Sequence, residues 1–182
     1  MLPGRGADGR LRHVQNWDWS AACADTAIVL CVRRDDGPDV LTFTEAGALA
    51  RHGLNGAGLA ITGNYLRSDR DKGEPGVPLP LIRRRAFECA DRDAAVRLIA
   101  ETPKSVSNNM TISHADGWAV DLECAPDASG ALGPEHGLIV HANHWEGPRT
   151  LSVLSDTGVG ADTGTVFSAP SASARCWAPS AG

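Results

Sequence analysis

The sequence predicts an α+β domain built on a mostly antiparallel sheet system. Three observations carry this. Short β-branched or alternating apolar runs are separated by Gly, Asp and Asn turn signals, so neighbouring runs pair as hairpins. Helical spacing is concentrated in one stretch near the middle of the chain, giving strands, then helices, then strands, and not a βαβ alternation. No G-x-G-x-x-G or G-x-x-x-x-G-K occurs, so a phosphate-cradling fold lacks support.

Leu11 to Asn16 reads as a short extended run. Thr26 to Arg33 (T-A-I-V-L-C-V-R) is β-branched and continuously apolar, the pattern of a strand buried on both faces. Asp35-Asp36-Gly37-Pro38 is a turn, and Val40 to Glu45 alternates, so 26–45 is expected to form a hairpin. Asn55-Gly56 marks another turn before the apolar, Gly-bounded strand Gly58 to Gly63. Residues 64–80 are expected to be a surface loop. Leu81, Ile82, Arg85, Ala86 and Cys89 have helical spacing, and Asp91 can cap a second helix with apolar positions 94, 95, 98 and 99. Met110 to Ser113 and Trp118 to Leu122 flank Ala115-Asp116-Gly117 as a second hairpin, and Leu138 to His141 is expected to be a further strand.

With 182 residues, 42% hydrophobic and 21% charged, the chain suffices for one domain with a core. Its net charge of −5 disfavours a nucleic-acid binder, which needs a basic face. No apolar run approaches the roughly 20 residues of a membrane span, and the first residues lack a secretory h-region. A cytoplasmic chain is expected, with its five scattered cysteines reduced. The expected organisation is an irregular N-terminus over 1–10, a domain over 11–156, and a disordered Gly/Ala/Ser/Pro-rich tail over 157–182, too poor in large apolar groups to order itself.

Two constellations could carry chemistry. In Gln15-Asn16-Trp17-Asp18-Trp19 a carboxylate sits between indoles and will seek donors, which suits a positioned acid. The same residues also suit a strand-end cap beside two core tryptophans. In His141-Ala142-Asn143-His144 an Asn amide can donate to a developing oxyanion. The alternatives there are satisfied histidines, or a metal site using His136, His141, His144 and Glu146. Residues three apart on a strand face opposite ways, so a metal requires the segment to bend. Asn64, after the strand 58–63, is a second amide donor or a turn residue. Arg83-Arg84-Arg85 reads as the solvated side of a helix, and Asp121 with Glu123, on one strand face, as an acid pair or, in preference, a solvent-facing strand edge.

Taken in order, Q-N-W-D-W, T-E-A-G (44–47), G-L-N-G-A-G-L-A-I-T-G-N (53–64), R-R-R-x-F-E-C-A (83–90), S-x-N-N-M-T-I (107–112), D-L-E-C-A-P (121–126) and H-A-N-H (141–144) resemble the isopenicillin N acyltransferase family of cysteine N-terminal-nucleophile (Ntn) hydrolases. The resemblance runs from about residue 8 to 156. It implies an αββα sandwich, here incomplete. It implies an acyl-cysteine intermediate made by an N-terminal Cys, with the residue's own α-amine as base, resolved by an amine or by water. The implied partners are a small-molecule acyl donor and an amine or amide substrate, with no cofactor, nucleic acid or membrane.

By the same resemblance Asp18 matches the Asp of the N-W-D motif beside the nucleophile. Asn143 matches the oxyanion-hole Asn of H-x-N-H, and Asn64 a further polar contact. The family's Cys precedes that Asp, whereas the first Cys here is Cys23. The expectation is therefore a domain truncated at both ends and inactive as written, with a frameshifted segment from about 158 onward. The alternative is a non-catalytic relative or gene remnant that at most binds a small acyl or amine ligand.

Overall fold

A computed structural model describes residues 9–71, 73 and 75–158 of the chain. Among these residues seven strands form a single sheet: β1 (Ala27–Val32), β2 (Val40–Glu45), β3 (His52–Asn55), β4 (Leu59–Thr62), β5 (Asn108–His114), β6 (Ala119–Cys124) and β7 (Ser129–Leu132). Each strand is the antiparallel neighbour of the next in sequence, so the sheet is a meander in chain order. The Ala115-Asp116-Gly117 turn closes the β5–β6 hairpin with Gly117 at φ +96°, a left-handed conformation that glycine adopts without a Cβ clash. Three α-helices, α1 (Leu79–Phe87), α2 (Arg92–Glu101) and the single-turn α3 (Pro148–Leu151), and a 3₁₀ helix (Ala21–Thr26) complete the described fold.

Strand pleating sorts the side chains into two faces. Val40, Leu59, Ile61, Met110, Ile112, Leu122 and Cys124 turn to α1 and α2, and with Ile82, Ala86, Phe87, Ala95 and Ile99 they form the main core. Burying this set supplies the main driving force for folding at about 25 cal/mol per Å² of apolar surface removed from water. α1 begins two residues before the expected position because Pro80 lies in its first turn, where a missing N–H leaves no bond unmade. α2 begins as expected: the Asp91 carboxylate accepts the Ala94 N–H at 2.8 Å.

The opposite face carries Phe43, His52, Thr62, Asn109, Thr111, Ser113, Asp121 and Glu123. Residues 11–17 lie against this face in extended form, with Leu11, His13, Gln15 and Trp17 half-buried and Arg12, Val14 and Asn16 exposed. His13 spans two strands, its ring nitrogens 2.7 Å from Ser113 Oγ and 2.8 Å from Thr62 Oγ1. Trp17 meets Phe43 and His52 edge to face and stacks with Trp19, and the Arg51 guanidinium lies over both indoles.

The α+β antiparallel class is as expected, and of the implied sandwich the described residues supply one sheet and the helical layer on it. Several expectations need correction. β1 is not buried on both faces. It is an edge strand, with Ile28, Val29 and Cys31 exposed, because continuous apolarity records hydrophobicity and not the number of neighbours. Residues 138–141 form no strand, and β3, β7 and α3 were not anticipated. Arg83 is not solvated: the spacing of Ile82, Ala86 and Phe87 carries it to the inner side of α1, where burial pulls its pKa down to about 10. Asp121 and Glu123 do not face solvent. Both are fully buried, because residues 141–150 cover them. The N-terminal residues 1–8 and the stretch from 159 on, with most of the expected tail, lie outside the described residues.

Candidate functional site

The polar face of β5 and β6 builds the site from below. Asp121 Oδ1 accepts from Asn109 Nδ2 at 2.8 Å and from Thr111 Oγ1 at 2.5 Å. Two residues along β6, the Glu123 carboxylate accepts four donors. Oε1 takes His141 Nε2 at 2.9 Å and the Glu146 N–H at 2.6 Å, while Oε2 takes the Gly147 N–H at 3.0 Å and Thr150 Oγ1 at 2.5 Å. The second ring nitrogen of His141 lies 2.9 Å from the Ala142 carbonyl oxygen. Both ring nitrogens thus face acceptors, which suits an imidazolium.

Electrostatics agree with that geometry. Burial alone would push His141 down, but the Glu123 hydrogen bond and the Asp121 charge outweigh it and raise its pKa to about 9. Burial likewise pushes Glu123 upward, yet its bonds from His141, Thr150 and the Glu146 amide prevail and hold it below the ordinary carboxylate range. Asp121, with fewer donors, is raised by burial.

Asn64 follows β4 and reaches the same segment from the other side. Its Nδ2 donates to the His141 carbonyl at 2.9 Å and lies 3.3 Å from that of Ala142. Its Oδ1 accepts from Gln15 Nε2 at 2.9 Å, and Gln15 also donates to Gly63 O at 2.8 Å. The exposed Asn143 turns its Nδ2 to Tyr65 O at 3.0 Å. The structure therefore brings together the segment leading to Asp18, Asn64, and the H-A-N-H loop. Asp18 itself is exposed, three residues beyond Gln15.

Sequence reasoning missed Gln15, Glu123 and His141 as members of this arrangement. The one available signal was that D-L-E-C-A-P and H-A-N-H occur in fixed order. Of the histidines considered as metal ligands, His141 is bonded to Glu123, His144 stacks its ring on that of His141 with Nε2 3.1 Å from Glu146 Oε1, and His136 occupies a left-handed turn position at φ +50°. Among the described residues no group of three or more His, Cys, Asp or Glu is arranged to hold a metal ion.

Residues 5–157 match the model of the acyl-coenzyme A:6-aminopenicillanic acid acyl-transferase family. This chain belongs to that family. A curated relative from Emericella nidulans, the acyl-coenzyme A:6-aminopenicillanic-acid-acyltransferase 40 kDa form, is 29% identical over 132 residues. That alignment covers 71% of this chain and 36% of the relative, so the chain spans about a third of the relative's length. Among solved structures, the Caenorhabditis elegans N-acylethanolamine-hydrolyzing acid amidase ortholog superposes with a TM-score of 0.60 at 12% identity, covering 79% of this chain and 69% of that one. At that identity the likeness shows the fold alone, an Ntn-hydrolase fold.

Cys124 lies in the core against the helices, and burial pushes its thiol up to about 11. Cys89 follows α1, its thiol raised by burial and lying 3.5 Å from Arg85 O. Cys31 is exposed on β1, and Cys23 lies in a 3₁₀ helix (Ala21–Thr26) after the N-W-D motif. A buried thiol with a raised pKa is a poor nucleophile, since the thiolate is the reactive form. No helix among the described residues is long and apolar enough to cross a membrane.

Proposed function

We propose that this domain handles small-molecule acyl donors and amine or amide acceptors, with Asn143 as an oxyanion donor and Asp18 beside the attacking group. One observation carries the reading most: Gln15, Asn64 and the loop bearing Asn143 are hydrogen-bonded into one constellation in a chain of this acyltransferase family. In such chemistry the thiolate attacks the acyl carbon, negative charge develops on the carbonyl oxygen, and a preorganised amide N–H stabilises it. Losing one such donor typically raises the barrier by about 3 kcal/mol. Asn64, whose amide is engaged with the 141–142 carbonyls, would serve that site by holding the loop.

The alternative reading is that the chain binds a small acyl or amine ligand without turning it over. Assayed on these 182 residues alone, whose first cysteine is Cys23, acyl amides and acyl thioesters should stay unreacted on either reading. Turnover abolished by alkylating Cys23, Cys31, Cys89 or Cys124 would overturn that expectation. Ligand binding then tests the site: a non-reactive acyl amide should shift the side-chain amide resonance of Asn143, and Asn143→Ala should weaken its binding several-fold. Binding indifferent to that substitution would remove Asn143 from the site.

A further inference from the structure

We propose that Glu123 is the positioning residue of the site: a buried carboxylate that ties both ends of the 141–147 loop to β6 and thereby fixes where Asn143 presents its amide. This deepens the proposed function and rests on it for the role of Asn143, but the positioning itself is a property of the fold. The geometry is that of a clasp. At one end of the loop His141 Nε2 donates to Glu123 Oε1. At the other, the Glu146 and Gly147 amides donate to Oε1 and Oε2, and Thr150 Oγ1 of α3 joins them on Oε2. Residues 142–145 are therefore a short closed span with both feet on a single side chain, and Asn143 lies within it.

Gly147 supplies an independent sign that the backbone is drawn onto this carboxylate. A Cβ built there would lie 2.5 Å from Glu123 Oε2 and 2.7 Å from Thr150 Oγ1, closer than real contacts allow. Only glycine lets the chain approach so near. Asn64 closes the clasp from outside by donating to the carbonyls of His141 and Ala142. Ionisable groups around His141 come from β6 (Asp121 and Glu123) and from its own loop (His144 and Glu146). β5 contributes the neutral Asn109 and Thr111, the residue after β4 the neutral Asn64, and α3 the Thr150 hydroxyl. Deprotonating His141 ends the ion pair at one foot of the span and leaves a single ring N–H for two acceptors, Glu123 Oε1 and the Ala142 carbonyl.

The test is ¹⁵N NMR of the whole chain in three forms: wild type, Glu123→Gln and Gly147→Ala. In the wild type the Asn143 and Asn64 side-chain amide signals should move together with the alkaline titration of the His141 ring. In Glu123→Gln the His141 midpoint should fall by about two pH units or more as its carboxylate partner is lost. In both variants the Asn143 amide proton should exchange at least tenfold faster, while Ile99 and Met110 amides in the main core stay protected. A merely structural role would loosen core and loop alike. If a variant does not fold, the wild-type titration still decides. Asn143 signals that ignore the His141 titration overturn the proposal, as do Asn143 signals unchanged in a folded Glu123→Gln. Should Asn143→Ala leave ligand binding intact while these shifts appear, the functional reading fails and the clasp stands.

Discussion

His141 and His52 sit on the same side of the sheet and are perturbed in opposite directions. His141 is held protonated by Glu123 and Asp121, with a pKa near 9. His52 is held neutral: burial, with the Arg83 and Arg51 charges, lowers its pKa to about 4, and its ring lies against Trp17. The signs follow from which state binds more protons. Between pH 6.5 and 9 the folded chain keeps a proton on His141 that an unfolded histidine loses, so this contribution is full below 6.5 and is lost as pH rises. Between 6.5 and 4 the unfolded chain takes up a proton that folded His52 refuses, so stability falls as pH drops. His13, also lowered by burial, adds to that acid limb. Stability to urea should therefore peak near pH 6.5, each limb being worth on the order of 3 kcal/mol. His141→Gln should flatten the alkaline limb alone and His52→Gln the acid limb alone. A profile still rising from pH 7 to 9 would contradict the imidazolium assignment.

At the scale of elements, one side chain joins two of them. Asn55, at the end of β3, donates through Nδ2 to Phe87 O and Cys89 O at the C-terminus of α1, at 2.9 and 2.8 Å. Its Oδ1 accepts the Ala57 and Leu59 N–H groups, both at 3.0 Å, shaping the turn into β4. Asn55→Ala leaves buried donors and acceptors unmatched and should cost roughly 3 kcal/mol in urea unfolding. Asn55→Asp should be no better, because a carboxylate cannot donate to the α1 carbonyls; a near-neutral effect would refute the tie. What could be read in advance follows the same physics. β2, β4 and α2 were legible because alternation, apolar density and an Asp cap are local signals. β3 (H-G-L-N) and β7 (S-G-A-L) were not, since both are short, contain glycine and pair through backbone bonds offered by neighbours. Asn64 and Asn143 could be named from motifs. The burial of Asp121 and Glu123 could not, because what covers Glu123 arrives 18 to 27 residues later, and acids on one strand face look solvent-directed until that cover is known.

At the scale of the whole sheet, the described residues cover its two faces unequally. The helical face is closed by α1 and α2, while the other face is covered over part of its width by residues 11–17 and 141–150. Beyond that cover the register aligns Cys31, Leu41, Leu54 and Ala60 side by side across β1 to β4. Leu41 is 42% exposed, Leu54 49% and the adjacent Val29 69%. A contiguous apolar row of this kind, ending at the edge strand β1, favours association of chains. The wild-type chain should therefore bind a hydrophobic dye such as ANS and sediment as concentration-dependent species. Leu41→Thr combined with Leu54→Thr should cut dye binding severalfold and shift sedimentation toward monomer. Because both side chains are already half in water, the double substitution should change stability by no more than about 1 kcal/mol. Ile61→Thr, a similar chemical change on the fully buried helical face, should cost several times that and leave dye binding undiminished. A wild-type chain that stays monomeric at high concentration and binds no dye would show that this row does not act as an apolar surface.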